Sequence, residues 1–172
     1  MSNVEHKASA PKSIKCMIIT VSDTRTVETD KSGKQMIDLL EANGHFICDY
    51  RIVKDDAESI REAVLDGIAN DNVQAILTNG GTGIALRDVT IETLKSMFDK
   101  EISGFGEIFR FLSYTEDIGS AAILSRAIAG VIGTKAIFAT PGSTGAVKLA
   151  MDKLILPELA HVVGELHKDL NK

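Results

Sequence analysis

The chain has no tryptophan, three prolines and two cysteines in 172 residues. Cys16 and Cys48 are far apart and make no CxxC, and the four histidines have no zinc-ligand spacing. A disulfide-stapled scaffold and a zinc module are therefore excluded. Each cysteine lies in an apolar, strand-like run, so buried thiols in a reducing compartment are expected. No run approaches the roughly 18 apolar residues of a membrane span. The start, MSNVEHKASAPKSIK, lacks the apolar stretch of a secretory signal, and a soluble, cytoplasmic protein is expected. Positive charge is also short: 19 Lys plus Arg stand against 24 Asp plus Glu, a net charge of −5. That balance argues against a general binder of nucleic-acid backbone but leaves room for a small anionic ligand held by local donors or a bridging cation. With 44% apolar residues, 25% charged residues and a mean hydropathy of +0.08, the composition belongs to one ordinary globular domain and excludes intrinsic disorder.

What the chain does have is 14 glycines, and they are unevenly placed. Residues 1–14 read as a flexible polar arm ending near Pro11, and residues 15–172 as one domain without repeat or linker. CMIITVSD (16–23) reads as a buried strand ending at Ser22-Asp23. Met36, Ile37, Leu39 and Leu40 recur at helical spacing before a stop at Gly44. HFICDYRIV (45–53) alternates as a strand exposed on one side does. Asp55 and Asp56 open a helix with Ile60, Val64, Leu65 and Ile68 on one face. VQAILTNGG (73–81) is a third strand ending in glycines. The β-α-β-α-β order predicts a three-layer α/β/α domain with a mainly parallel sheet and right-handed crossovers. Further on, 88–98 reads as a helix, and 102–114 as another opening after Gly104 or Gly106. Residues 119–130 begin as a short helix that passes into a strand. TKAIFAT (134–140) is a strand, antiparallel to its predecessor around Gly133, and 143–159 is helical. Pro157 marks a new helix start or a kink.

In such sheets ligands bind beyond the carboxyl ends of the strands. Two strand ends carry glycine-rich turns, TNGGTG (78–83) and TPGSTG (140–145). Neither is the P-loop GxxxxGK(S/T) nor the dinucleotide fingerprint GxGxxG. Consecutive glycines admit close backbone approach and an anion-binding nest, or simply a tight turn. At the second turn Ser143 or Thr144 is placed to cap the following helix, with Lys148 one turn inside it, a layout that suits either a phosphate or carboxylate at the helix start or an ordinary capped helix with a solvent-facing lysine. Arg87-Asp88 follow the first turn. Asp55 and Asp88 are each either helix caps or acids that hold Mg²⁺ against a polyphosphate, with Asp23 a third acid in the same cleft. Glu107 and Arg110 are spaced to pair on one helical face, and Arg110 and Arg126 are each placed either to reach an anionic ligand or to pair at the surface or between subunits. Phe105, Phe109, Phe111 and Leu112 serve core or interface. No Ser–His–Asp or Cys–His arrangement is evident, which disfavours covalent hydrolysis.

ITVSDTR, TNGGTGIALRDVTIE, FGEIFRFLS, GSAAILSRAIAG and ATPGSTGAVKLA, in that order, resemble the signatures of the MoaB/Mog family of molybdenum cofactor biosynthesis proteins. The resemblance covers about residues 15–165, and the bacterial MoaB type fits the pattern best. It implies a molybdopterin-binding domain that transfers AMP from Mg-ATP to the terminal phosphate of molybdopterin, releasing pyrophosphate. It equally accommodates a non-catalytic molybdopterin-binding or scaffold protein of the same pathway. The family turn TxGGTG matches Thr78, Gly80, Gly81, Thr82 and Gly83, with Asn79 at the variable place. The family's two acids match Asp55 and Asp88 as catalytic and Mg²⁺-holding residues, with Lys54 in place of the more usual proline. The pterin-side turn matches Pro141, Gly142 and Ser143. A trimer or hexamer, and contact with other proteins of the pathway, are also implied.

Overall fold

The strand β1 (Lys15–Val21) runs through the middle of the molecule because six of its seven residues are apolar or small enough to bury. The computed structural model describes residues 10–170. Residues 1–9 of the expected arm lie outside that range, and of its remainder Pro11 meets Gly164 while Ile14 is fully buried in the core. Helix α1 (Lys31–Ala42), strand β2 (Phe46–Val53), helix α2 (Ala57–Ala69) and strand β3 (Ala75–Asn79) follow. Then come α3 (Thr90–Met97), β4 (Lys100–Glu101), α4 (Ser103–Glu116), a 3-10 helix at Gly119–Leu124, β5 (Ile128–Ile132) and β6 (Lys135–Thr140). The chain closes with α5 (Thr144–Ala150), a π-helical turn at Met151–Ile155 and α6 (Leu156–His167).

The six strands lie in the order β2-β1-β3-β6-β5-β4. β2, β1, β3 and β6 are mutually parallel, and β5 is antiparallel to both β6 and β4. The expected antiparallel pair is therefore present, turning at Gly133 with φ +59°. Alternation along the strands sends Cys16, Ile18, Leu77 and Phe138 to one face of the sheet, and Met17, Ile19, Ile76 and Ile137 to the other. Helices α1, α4, α5 and α6 cover the first face; α2 and α3 cover the second. Burial of each large aliphatic side chain contributes about 1.5–3 kcal/mol, and two such layers make this three-layer α/β/α arrangement.

Several local expectations are corrected. β1 ends at Val21, before Ser22-Asp23. α4 opens at Ser103, ahead of both glycines; Gly106 is inside the helix because the Ala127 carbonyl passes only 2.5 Å from where its Cβ would stand. Cys48 is exposed rather than buried, since β2 is an edge strand, whereas burial pushes the Cys16 thiol up to about 12. Phe105 and Phe109 belong to the core, while Phe111 is exposed. Pro157 lies in the first turn of α6, directly after the π turn. Among the described residues no helix is long and apolar enough to cross a membrane.

The chain steps from β1 to β2 on one side and to β3 on the other. The loops leaving the carboxyl ends of β1 and β3 therefore diverge at a topological switch point, which is where a cleft opens in doubly wound sheets.

Candidate functional site

A cavity of about 510 Å³ lies at this switch point, within the range that holds a small-molecule ligand. Its walls come from Ser22–Arg25 after β1, Asp55 after β2, the glycine turn after β3, and Pro141-Gly142 after β6. Ile118, just before the 3-10 helix, and Ala121 and Leu124 within it form an apolar side. Arg87, Asp88 and Arg126 complete it. Most of the expected residues meet here: Asp23, Asp55, Gly80, Gly81, Thr82, Gly83, Asp88, Pro141 and Gly142. Thr78 and Ser143 do not line it. Thr78 is buried within β3, and Ser143 caps α5 by accepting the Ala146 N–H at 3.2 Å.

The backbone of the first turn is polarised. The Gly80 carbonyl accepts the Thr90 hydroxyl at 3.0 Å, and the Gly81 carbonyl accepts the Thr90 N–H at 3.0 Å. Arg126 donates through Nε to the Thr82 carbonyl at 2.9 Å and through Nη2 to the Gly83 carbonyl at 2.5 Å. All four carbonyls are thus drawn into the protein. The N–H groups of Gly81, Thr82 and Gly83 have no protein acceptor among the described residues. Such a run of uncommitted donors beside a cavity has the composition of a backbone nest. Gly80 and Gly81 hold φ of +95° and +65°, the left-handed region where glycine carries no Cβ penalty.

The acids border the same turn. A Cβ on Gly81 would stand 2.8 Å from Asp55 Oδ1, and one on Gly83 would stand 2.5 Å from Asp88 Oδ2. Neither acid caps a helix. Asp56, not Asp55, caps α2 by accepting the Ser59 N–H at 2.8 Å, and α3 starts after Val89 without a side-chain cap. Asp88 Oδ2 instead accepts the Ala85 N–H at 2.9 Å, and Asp23 Oδ1 accepts the Asp55 N–H at 3.0 Å. Asp55 Oδ1 is buried without a hydrogen-bond partner. Burial, then the Asp88 and Asp23 charges, push the Asp55 carboxyl above the usual carboxylate range, against a smaller opposing pull from Arg87.

An orphaned buried carboxylate oxygen facing two further carboxylates suits a divalent cation. Among the described residues no three potential ligands converge into a closed metal cage. Mg²⁺ does not require one, since it takes one or two carboxylates and completes its shell with water and substrate oxygens.

A second network lies under the cavity floor. Arg25 donates to the Gly142 carbonyl at 2.8 Å, to Asn79 Oδ1 at 3.3 Å and to Asp30 Oδ1 at 3.4 Å. Ser32 Oγ donates to the same Gly142 carbonyl at 2.6 Å, and the Tyr50 hydroxyl to Asp30 Oδ2 at 2.6 Å. Asp30 also caps α1 through the Gly33 N–H at 3.0 Å. Burial pushes the Asp30 carboxyl up, but donors from Thr20, Tyr50 and Gly33 and the Arg25 charge outweigh it and leave it below its ordinary range. Sequence reading missed Arg25, Asp30 and Tyr50. For Arg25 and Asp30 the one signal is an unusually long polar stretch, TRTVETDKSG, between a strand and a helix; Tyr50, inside β2, carries none.

Other expectations resolve differently. Arg126 reaches the cavity but is committed to the turn and to an ion pair with Glu92. Arg110 donates to the Ser125 carbonyl at 3.3 Å, and Lys148 pairs with Asp152 at 2.6 Å outside the cavity.

The family model described as "Probable molybdopterin binding domain" matches residues 17–161. Molybdenum cofactor biosynthesis protein B of Bacillus subtilis is 64% identical over 169 residues, covering 98% of this chain and 99% of its own. A crystal structure of a molybdenum cofactor biosynthesis protein B, 61% identical, superposes with a TM-score of 0.91 over 93% of this chain and 99% of that one. The tungsten cofactor synthesizing protein MoaB from Pyrococcus furiosus is 41% identical, with a TM-score of 0.81 over 91% and 99%. With its glycine turn and flanking acids on a sheet of this topology, the chain belongs to the MoaB/Mog family of molybdenum cofactor biosynthesis proteins, on the bacterial MoaB side.

Proposed function

We propose that the chain binds molybdopterin and transfers AMP from Mg-ATP to its terminal phosphate, giving adenylyl-molybdopterin and pyrophosphate. The observation that carries this reading is the first turn, whose carbonyls are all tied back while the N–H groups of Gly81, Thr82 and Gly83 remain uncommitted. Charge supports it. Arg25 is neutralised by Asp30 and Arg126 by Glu92, so three carboxylates, Asp23, Asp55 and Asp88, face one unpaired arginine, Arg87. The remaining charge of minus two matches one divalent cation, and that cation makes an otherwise acidic cavity acceptable to a phosphate chain.

Asp55 and Asp88 would hold Mg²⁺, which supplies charge neutralisation on the phosphates when bound. A phosphate oxygen of molybdopterin attacks the α-phosphorus of ATP, a new P–O–P linkage forms, and the α–β bridge breaks with its electron pair leaving on pyrophosphate. The nucleophile is already an anion, so the protein needs no strong general base. Its work is positioning by backbone donors and electrostatic stabilisation. Thr78, buried in β3 just before the turn, and Ser143, which caps α5, act from beneath, while Pro141 and Gly142 form the pterin-side wall.

Purified protein supplied with molybdopterin and Mg-ATP should release pyrophosphate in step with adenylyl-molybdopterin. Pterin binding without pterin-dependent ATP turnover would overturn the transferase reading and assign a binding or scaffold role.

We also propose that the chain works in the cytoplasm as a trimer or hexamer, with other proteins of the pathway as further partners. Ile108, Phe111 and Tyr114, spaced on one face of α4, are exposed and suit burial against a second copy. A sedimentation mass of one 18.5 kDa chain at micromolar concentration would remove that proposal.

A further inference from the structure

The three arginines around the cavity are committed differently. Arg25 spends its guanidinium on Asp30, Asn79 and the Gly142 carbonyl. Arg126 spends its own on Glu92 and the Thr82 and Gly83 carbonyls. Each of these two ties a glycine turn to the body of the protein. Arg87 lines the same cavity with no hydrogen bond or ion pair among the described residues. Its backbone is nonetheless fixed. The Asp88 N–H donates to the Ala85 carbonyl at 2.9 Å, while Asp88 Oδ2 accepts the Ala85 N–H at 2.9 Å. This closed turn presents consecutive side chains of opposite charge, Arg87 and Asp88, to one cavity.

Resting on the AMP-transfer reading, we propose that Arg87 is the ligand-contacting arginine of this site, its guanidinium taking non-bridging oxygens of a phosphate group on the bound ligand. A guanidinium offers paired donors in a plane that matches two phosphate oxygens, which an ammonium does not. The phosphate is either the polyphosphate of the nucleotide or the phosphate monoester of the pterin. Asp88 beside it serves the cation, so one short turn delivers both halves of the charge compensation. Arg25 and Arg126 are positioning residues, and their guanidinium groups do not take the ligand phosphate.

Binding of four probes to the full chain separates the cases: Mg-ATP, inorganic pyrophosphate with Mg²⁺, molybdopterin, and molybdopterin stripped of its phosphate. Arg87→Ala should weaken a phosphate-bearing ligand by roughly 10- to 100-fold, the range for loss of a charge-assisted contact. It should leave the dephosphorylated pterin and the thermal midpoint unchanged. Arg87→Lys should restore only part of the loss. A deficit confined to Mg-ATP and pyrophosphate assigns the nucleotide, and one confined to intact molybdopterin assigns the pterin phosphate. Parent-like affinity for every phosphate ligand, or an equal loss for the dephosphorylated pterin, overturns the proposal. If the parent protein takes no Mg-ATP, the transferase reading fails, while the two pterin probes still decide the role of Arg87.

Discussion

The two glycine turns at the carboxyl edge of the sheet look alike in sequence and differ in how they are held. After β3, Gly80–Gly83 is gripped by its carbonyls from Thr90 and Arg126, and three acids crowd its open side. After β6, Gly142 is gripped from below by Arg25 and Ser32, whose own anchor, Asp30, is buried and fully satisfied. The first turn has an unpaired buried carboxylate oxygen, Asp55 Oδ1, packed beside Gly81, whereas the second ends in a well-capped helix. Unsatisfied electrostatics are concentrated at one turn and satisfied electrostatics at the other. That division suits the proposed transfer, in which the first wall would react and the second would hold shape.

The largest effect expected from breaking this contrast is on turnover at the first turn. Asp55→Asn and Asp88→Asn should each lower AMP transfer by at least about 100-fold, the scale of losing one preorganised electrostatic group. Stability should move the other way for Asp55. Its native carboxyl titrates above the unfolded value of about 3.9. The stabilisation linked to its protonation is complete below that unfolded value and is lost as pH rises through the native one. At neutral pH the ionised group therefore weighs against the fold. Asp55→Asn should raise the thermal midpoint at pH 7, with the gain shrinking toward pH 4; a lowered midpoint at pH 7 would contradict this account.

A smaller effect separates the turns by backbone. Gly80→Ala meets the Val21 carbonyl oxygen at 2.2 Å with φ at +95°, so chemical denaturation should show a loss of about 3 kcal/mol. Gly142→Ala has no positive φ, and its nearest contact is 3.1 Å, to Gly80 Cα. It should cost about 1 kcal/mol or less. Equal losses would erase the distinction. An effect no larger than that of Gly142→Ala belongs to its support: Ser32→Ala removes one of two donors to the Gly142 carbonyl and should cost about 0.5–1 kcal/mol by the same measurement. No loss at all would mean that Arg25 alone holds the turn.

Much of this was legible in the chain. Strands of five or more residues, with turn formers at their ends, disclosed the layers and the parallel sheet, and the glycine clusters disclosed the cavity. The two-residue β4 was not legible, since no periodicity exists over two residues. The start of α4 was misplaced because glycine was read as a boundary, when at Gly106 it makes room for a passing backbone. The Arg25 network escaped for a different reason. Its partners lie 54 and 117 residues away, and no local pattern connects Arg25 to Asn79 and Gly142. For Arg126 the sequence leaves ligand contact and simple pairing open; it lines the cavity, but its charge is consumed by Glu92. Proximity in sequence reported where groups stand, but not which of them are already spoken for.

The π turn at Met151–Ile155 bears on how the second turn is kept in place. Met151, Ile155, Leu159 and Val163 are all fully buried, at steps of four residues. In an ordinary α-helix four residues overshoot a full turn by about 40°, so a stripe with this spacing winds steadily around the rod. One wide turn at its start holds that rotation back, so the apolar stripe stays on the sheet through the end of α6. The insertion acts as a phase correction, letting a single rod from Thr144 to His167 keep one side against the sheet.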